Sequence, residues 1–132
     1  MARVIAPAEA KHLGLPGRTS NQIVSGETGA ENVSFRLVEI APNTPGETKR
    51  GPHVHRGFAE CIYVLDGSGV TESESGEHAV QAGDTILIPA DELHVTHATG
   101  SRPLKLLCFF PTGDVASGTT EFASWEATGE PA

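Results

Sequence analysis

The stretch ECIYVLDGSGVTESESGEHAVQAGDTILIP, residues 60–89, decides the fold. It contains short runs rich in β-branched and apolar residues, and turn signals separate them at Asp66-Gly67, Ser75-Gly76-Glu77 and Ala82-Gly83-Asp84. Glycine and aspartate in such clusters favour tight turns, and the Asp-Gly pair is typical of a β-hairpin. Turn signals spaced by roughly 8–12 residues predict a sandwich or barrel of antiparallel strands.

The same pattern continues on both sides of this stretch. Proline stops two of the runs, at Pro89 and Pro111. The first 20 or so residues and the last 15 give no clear periodicity. The predicted strands are Phe35–Ile40, Glu60–Leu65, Val70–Glu74, His78–Gln81, Thr85–Ile88, His94–Ala98 and Leu104–Phe110. Strand parity places Leu104, Leu106, Cys108 and Phe110 inside and Lys105 outside.

Composition excludes several classes of partner. The chain has 132 residues and a formal net charge of −8. A nucleic-acid or anionic-membrane surface needs clustered Lys and Arg, so we expect small-molecule or protein partners instead. The N-terminus has no apolar signal-peptide core and no run is long enough to span a bilayer, which predicts a cytoplasmic protein. Cys61 and Cys108 are too few for a disulfide framework and are interpreted as reduced packing residues.

Four residues form a candidate metal site. His53 and His55 are two positions apart on a strand, so they share a face, with Val54 opposite. Glu60 follows a break at Arg56-Gly57 and shares a face with Ile62 and Val64. His94 begins a later strand, with Thr96 and Ala98 on its face. Ligands from two or three neighbouring strands would then converge inside the barrel and leave coordination positions open, as a catalytic metal requires.

The other histidines and charged residues have simpler interpretations. Parity directs His97 away from the cavity, which favours a structural or surface role. His12 and His78 lie in polar, turn-like surroundings and are predicted at the surface. Lys49 shares parity with His53 and is a possible pocket residue. The acidic run from Glu72 to Glu77 is interpreted as a solvated hairpin tip.

At these positions the sequence resembles the cupin superfamily. The first cupin motif is matched by Gly46, His53, His55, Glu60 and Gly67, with one extra residue between Gly46 and His53. The second is matched by Gly83, Pro89, His94 and two departures, Asp91 for the usual glycine and Ala98 for the usual asparagine. Neither departure falls on a position that binds metal in the family.

The resemblance implies an all-β, double-stranded β-helix (jelly-roll) fold with a single cupin domain over residues 1–132. The barrel core would span about 33–111, preceded by an N-terminal strand or arm, 1–32, and followed by a C-terminal tail, 112–132. Such domains often dimerise through N-terminal strands, so a homodimer is expected.

The resemblance also implies a metal and a small-molecule ligand. Three imidazoles and a carboxylate suit one divalent transition-metal ion, with Fe, Mn, Ni, Co and Zn all compatible. Glu60 is either a ligand or a catalytic base. The apolar candidates Ile62 and Val64, with Thr96, favour an aromatic or polyketide-like substrate over a phosphorylated one.

Three functions stay open. The first is a metal-dependent enzyme of dioxygenase, decarboxylase, isomerase or cyclase type, with the metal as Lewis acid. The alternative is a non-catalytic, metal-anchored binding or sensing cupin. The third, a purely structural cupin without ligands at the metal site, is disfavoured because all four candidate ligands are present.

Overall fold

A computed structural model describes residues 1–129, and its regular secondary structure is almost entirely two antiparallel sheets. The first sheet has the order β1-β2-β3-β10-β5-β8. Its strands are β1 (Lys11–Leu13), β2 (Thr19–Val24), β3 (Ser34–Ile40), β5 (Glu60–Asp66), β8 (Thr85–Ile88) and β10 (Leu104–Phe110). The second sheet has the order β11-β4-β9-β6-β7. Its strands are β4 (His53–His55), β6 (Ser68–Ser73), β7 (Gly76–Gln81), β9 (His94–Thr99) and β11 (Thr119–Glu121). The helical segments are short 3₁₀ turns at Pro7–Glu9, Gly26–Thr28 and Ala116–Gly118.

Alternating strand patterns place the core between the two sheets. Inward positions of β5 and β10 are buried and outward ones are mostly exposed, as the period of two requires. Val64 and Leu104 are fully buried, and Leu106 and Phe110 are 2% exposed. The predicted inner face of β10, including Cys108, is confirmed, and so are the all-β class and the jelly-roll arrangement.

The Asp66-Gly67 turn does not form the hairpin that its sequence indicates. β5 pairs with β8 and β10, whereas β6 pairs with β7 and β9, so this turn carries the chain from one sheet to the other. Gly67 has φ +87°, and a Cβ there would lie 2.6 Å from the carbonyl oxygen of Pro103. A glycine is required because both the left-handed backbone and the close contact exclude a side chain.

The termini, which gave no clear sequence pattern, add strands to both sheets. β2 pairs with β3 in the same chain, and β1 forms an edge of the six-stranded sheet. β11 pairs with β4, the strand that carries His53 and His55. The homodimer through N-terminal strands stays a prediction; among residues 1–129, β1 pairs with β2 alone, and an edge strand of this kind can pair with another chain.

The two cysteines differ in burial. Cys108 is buried as predicted, but Cys61 is exposed, because it alternates with the inward residues of β5; its interpretation as a packing residue is wrong. Between residues 1 and 129, no helix is both long and apolar enough to cross a membrane. Residues 130–132 of the predicted C-terminal tail lie outside the described residues.

Candidate metal centre

Two adjacent strands of the second sheet present the three predicted histidines. His53 and His55 project from the same face of β4, with Val54 buried on the opposite face. His94, the first residue of β9, is directly opposite His53 in the register of the two strands. The rings of His53 and His94 are 4.2 Å apart between centroids, and that of His55 is 5.0 Å from His53 and 5.2 Å from His94.

Glu60 reaches the same point from the other sheet. It opens β5, where it pairs with Ile88 of β8. The predicted arrangement, with all ligands on neighbouring strands, is therefore wrong for this residue: the site joins the two sheets across the barrel. Glu60 Oε1 lies 3.1 Å from His55 Nε2 and 3.0 Å from His94 Nε2. One ligand atom from each of His53, His55, Glu60 and His94 lies within 4.8 Å of the others.

The hydrogen bonds behind the site fix the tautomers of two histidines. His94 Nδ1 lies 2.9 Å from the carbonyl oxygen of Glu92, which can only accept, so Nδ1 carries the proton. His55 Nδ1 lies 2.9 Å from Thr119 Oγ1, whose own proton is donated to the carbonyl oxygen of Val115 at 2.7 Å. The Thr119 hydroxyl must therefore accept from His55. With Nδ1 protonated, the neutral form of either imidazole directs its Nε2 lone pair at Glu60 Oε1, and the protonated form donates Nε2–H to it.

This convergence of donor atoms calls for a cation, either a proton or a metal ion. Two Nε2 atoms and a carboxylate oxygen face one another at 3.0–3.1 Å in a buried site. Such an arrangement is repulsive unless a proton or a metal ion lies between the donors. Metal-binding histidines commonly donate their remote N–H to a carbonyl or another acceptor, as both of these histidines do.

His53 completes the donor set. It is 9% exposed, and its Nδ1 is a buried nitrogen without a hydrogen-bond partner among residues 1–129. Burial and the neighbouring His94 lower the pKa of His53 well below its ordinary value, so its ring stays neutral. A neutral imidazole is the form that binds a metal ion.

Charge in the site is shared between Glu60 and the imidazoles. Burial alone would raise the pKa of Glu60, but its contacts with His55 and His94 hold that pKa well below its usual range. Burial likewise acts to lower the pKa of His94, yet the contact with Glu60 and its negative charge raise it. Glu60 is therefore an anion that already attracts positive charge. Burial also raises the pKa of the nearby Cys108, which stays a neutral thiol.

Two phenylalanines enclose His55. The Phe58 ring stacks on His55 with centroids 5.4 Å apart, and Phe110 meets it edge-on at 5.0 Å. Phe58 lies in the loop between β4 and β5, after the Arg56-Gly57 break, and Phe110 ends β10, so a loop and the six-stranded sheet form this wall. The packing restricts the orientation of the imidazole and excludes water from one side of the site.

The candidate site opens into a cavity of about 600 Å³. The predicted Ile62 and Thr96 line it, whereas Val64 is packed in the core. Three arginines also line it, and this differs from the expected apolar interior. They come from three places in the chain: Arg18 before β2, Arg36 on β3 and Arg50 before β4.

These arginines were missed by the sequence analysis, although one carried a signal. Arg36 occupies an inward position of β3, between buried Ser34 and Val38, and a charge in such a register indicates a special role. Arg50 lies in a loop without periodicity, so the sequence does not indicate where its side chain points. Lys49, the residue considered instead, is exposed and does not line the cavity.

The remaining charged residues are placed as follows. His12 and His78 are exposed, as predicted. His97 is 7% exposed and lies outside the metal cluster, in agreement with a structural role. Glu72 is not simply solvated: it accepts a hydrogen bond from Trp125 Nε1 at 3.0 Å and lies 3.9 Å from His97. The C-terminal tail thus covers the start of the predicted hairpin tip.

The two departures from the cupin motifs fit the structure without disturbing the site. Asp91 takes φ +69°, a left-handed conformation that aspartate tolerates better than most residues. Its carboxylate accepts a hydrogen bond from Gly57 N at 3.1 Å, and its own N–H donates to the carbonyl oxygen of His55 at 2.9 Å. The bonds anchor the strand that carries His55. Ala98 is 8% exposed and belongs to the core.

The fold and this histidine–carboxylate cluster together define a cupin. A family model for the cupin domain matches residues 37–110, and the chain belongs to that family.

Comparisons with individual proteins give the following likenesses. An uncharacterized protein of Methanocaldococcus jannaschii is 38% identical over 56 residues, an alignment that covers 42% of this chain and 45% of that protein. The polyketide cyclase RemF of Streptomyces resistomycificus has a TM-score of 0.66 and 25% identity, covering 84% of this chain and 80% of that one. Oxalate decarboxylase of Bacillus subtilis, described with Mn(II) centres, has a TM-score of 0.71 and 20% identity, covering 86% of this chain but 30% of its own.

Proposed function

We propose that this protein is a metal-dependent enzyme that acts on a small organic molecule. A single divalent transition-metal ion would be held by His53, His55, Glu60 and His94. The observation that carries the proposal is the convergence of four buried ligand atoms within 4.8 Å, next to an open cavity, with Nδ1 of His55 and of His94 engaged by acceptors so that Nε2 faces Glu60. Nitrogen and carboxylate donors of this kind suit Fe, Mn, Co, Ni or Zn.

The chain's own residues prepare the site for this role. When bound, the ion would act as a Lewis acid toward a carbonyl or carboxylate oxygen of the ligand. Thr119 and the carbonyl of Glu92 hold the His55 and His94 rings in the tautomers that metal binding needs. Phe58 and Phe110 keep water from one side of His55.

Glu60 is proposed as a metal ligand rather than a general base. Its Oε1 already contacts two imidazoles, and the low pKa that results makes it a weak base near neutral pH. Three further carboxylates, those of Glu27, Asp114 and Glu121, also line the cavity.

A non-catalytic, metal-anchored binding protein is the second candidate function. The carboxylates of the described cavity wall all have partners, which leaves no free one to accept a substrate proton. Besides Glu60, Glu121 pairs with Arg18 at 2.7 Å, Glu27 pairs with Lys11 at 3.0 Å, and Asp114 accepts from Ser117. This observation favours binding without turnover.

Turnover separates the two candidates. The similarity to the polyketide cyclase RemF supports an organic substrate for this chain. The metal-loaded protein should be screened against enols and catechols, with oxygen uptake and substrate loss followed together. Metal-dependent consumption of one compound supports the enzyme. Saturable binding without consumption across the series supports the binding protein.

Metal loading is expected to stabilise a fold that does not depend on the metal. The core cluster around Val64, Leu104 and Leu106 contains none of the four candidate ligands, so the apo chain should stay folded. At a free metal concentration of about 100 Kd, binding adds about 2.7 kcal/mol, or about 10 °C in melting temperature. Calorimetry with and without chelator measures the shift. An apo chain unfolded by circular dichroism would instead show a structural ion.

Thr119→Val is expected to weaken metal binding although Thr119 is not a ligand. The substitution keeps the side-chain shape but removes the acceptor of the His55 Nδ1 proton. Loss of such a partner typically costs roughly 10- to 100-fold in metal affinity. Titration of apo protein with Zn(II) measures the change. Thr120→Val, on the opposite face of the same strand, is the control and should bind as the wild type does; equal affinity of both variants would refute this positioning role.

A further inference from the structure

We infer that the cavity is built for an organic anion that has an apolar body, and that Arg36 and Arg50 bind its acidic group. The inference rests on the proposed function only in placing the opposite end of this ligand at the metal.

Most charges on the cavity wall cancel in pairs, but two arginines are left over. Arg18 pairs with Glu121 and Lys11 pairs with Glu27. Neither Arg36 nor Arg50 forms an ion pair with a carboxylate in the described part of the chain. Asp114, the remaining carboxylate of the wall, is exposed, so in the inner cavity the two arginines face Glu60, whose single negative charge a divalent ion would exceed. The inner cavity therefore favours a ligand of negative charge.

Arg50 is held in place by a hydrogen bond, but part of its hydrogen-bonding capacity is unused. Its Nη2 donates to the carbonyl oxygen of Thr96 at 2.8 Å, while its buried Nη1 has no hydrogen-bond partner within residues 1–129. Gly17 lies against it: a Cβ at that position would be 2.9 Å from Arg50 Cδ. Burial lowers the pKa of Arg50 to about 10, so the group is still charged near neutral pH. A buried guanidinium N–H group without an acceptor lowers the stability of the fold unless a ligand accepts a hydrogen bond from it.

Arg36 is also oriented by neutral groups. It is 9% exposed, its Nε donates to Gln22 Oε1 at 3.2 Å, and its guanidinium carbon lies 5.3 Å from the centre of the Phe110 ring. The aromatic face and the amide fix the plane of the guanidinium but do not neutralise it. Each guanidinium presents N–H donors in one plane, a geometry that is suited to binding a planar carboxylate.

The rest of the cavity indicates the body of the ligand. A volume of about 600 Å³ lies within the usual range for small-molecule sites. Val38, Ile40, Ile62 and Leu106 supply apolar walls around the two arginines. A very small anion would leave these walls in contact with water, whereas an aromatic or alicyclic carboxylate would cover them.

Binding of a matched pair of probes tests this inference. We would titrate Zn(II)-loaded protein with 2-naphthoate and with 2-naphthamide, which have the same body but differ in charge, and measure both by calorimetry. The naphthoate should bind at least about tenfold more tightly, because charge-assisted hydrogen bonds are stronger than neutral ones. Equal affinity, or no naphthoate binding at millimolar concentration, would overturn the inference.

Variants locate the contact. Arg36→Met and Arg50→Met should each weaken naphthoate binding by about tenfold or more and leave naphthamide binding unchanged. Arg102→Met, at an exposed arginine paired with Asp66, is the control and should change neither. If a methionine variant fails to fold, Arg36→Lys and Arg50→Lys are used instead. They keep the positive charge but lose the planar guanidinium donors, so a partial loss of naphthoate affinity is expected. Unchanged naphthoate affinity in folded variants of both arginines would refute their role.

Metal content, measured in every sample, separates the two proposals. Wild-type protein that takes up no Zn(II) contradicts the proposed function, and the naphthoate–naphthamide comparison then still tests the arginines in the apo chain. Protein that holds Zn(II) but does not prefer the anion contradicts the inference alone.

Discussion

Replacing His53 and His55 together with alanine is expected to reduce metal content from about one ion per chain to near zero. The two residues supply half of the donor set from a single strand, and only Glu60 and His94 would be left. Two donors are too few to retain a transition-metal ion against solvent and chelators. Elemental analysis of the purified variant, after dialysis against a weak chelator, gives the occupancy.

The matched control replaces two histidines that lie outside the site. His12 and His78 are both exposed, so a His12→Ala, His78→Ala variant loses the same number of imidazoles without touching the cluster. It should retain the metal content of the wild type. Full occupancy in the His53→Ala, His55→Ala variant would show that the ion binds elsewhere.

Glu60→Gln is expected to lower metal affinity by more than roughly 100-fold. This loss is larger than the one seen when only a residue hydrogen-bonded to a metal ligand is removed. The substitution removes the negative charge that joins His55 and His94. The new amide can also donate a hydrogen bond to an Nε2 lone pair, so the imidazoles would be satisfied without a metal. Competition with a chromophoric chelator measures the affinity of apo protein for Zn(II).

This variant also decides between the two roles considered for Glu60. If Glu60 is a ligand, any activity should fall together with metal content. If it is a general base, the metal should be retained while turnover falls by roughly two to four orders of magnitude. Glu77→Gln, at an exposed position of β7, is the control for a lost carboxylate. Wild-type affinity in Glu60→Gln would remove Glu60 from the ligand set.

The candidate ligands were accessible from the sequence because short-range geometry determines them. The i, i+2 spacing fixes a common face for His53 and His55 whatever the rest of the fold. The inward pattern of β5 likewise places Glu60 with Ile62 and Val64. The sequence did not indicate the partner sheet: β4 and β9 belong to one sheet and β5 to the other, so Glu60 approaches the histidines from across the barrel.

The residues that shape the cavity beyond the metal were harder to predict, because long-range pairing brings them there. Thr119 meets His55 only because β11 pairs with β4 across 64 positions of sequence. Arg50 enters from a loop, held by Thr96 on a strand 46 positions later. These residues are far apart in sequence, so no periodic pattern indicates that they are in contact. Arg36 is the exception, since its inward register on β3 could be read from the strand alone.

The location of a bound metal ion tests the central claim most directly. Crystals of the Mn(II)-loaded protein, measured for anomalous scattering, should give one strong peak per chain. We expect the peak at roughly 2.0–2.3 Å from a ring nitrogen of His53, from Nε2 of His55 and of His94, and from a carboxylate oxygen of Glu60. A peak only at another site, such as the Glu72–His97 pair, or no peak in protein that was loaded with the metal, would contradict it.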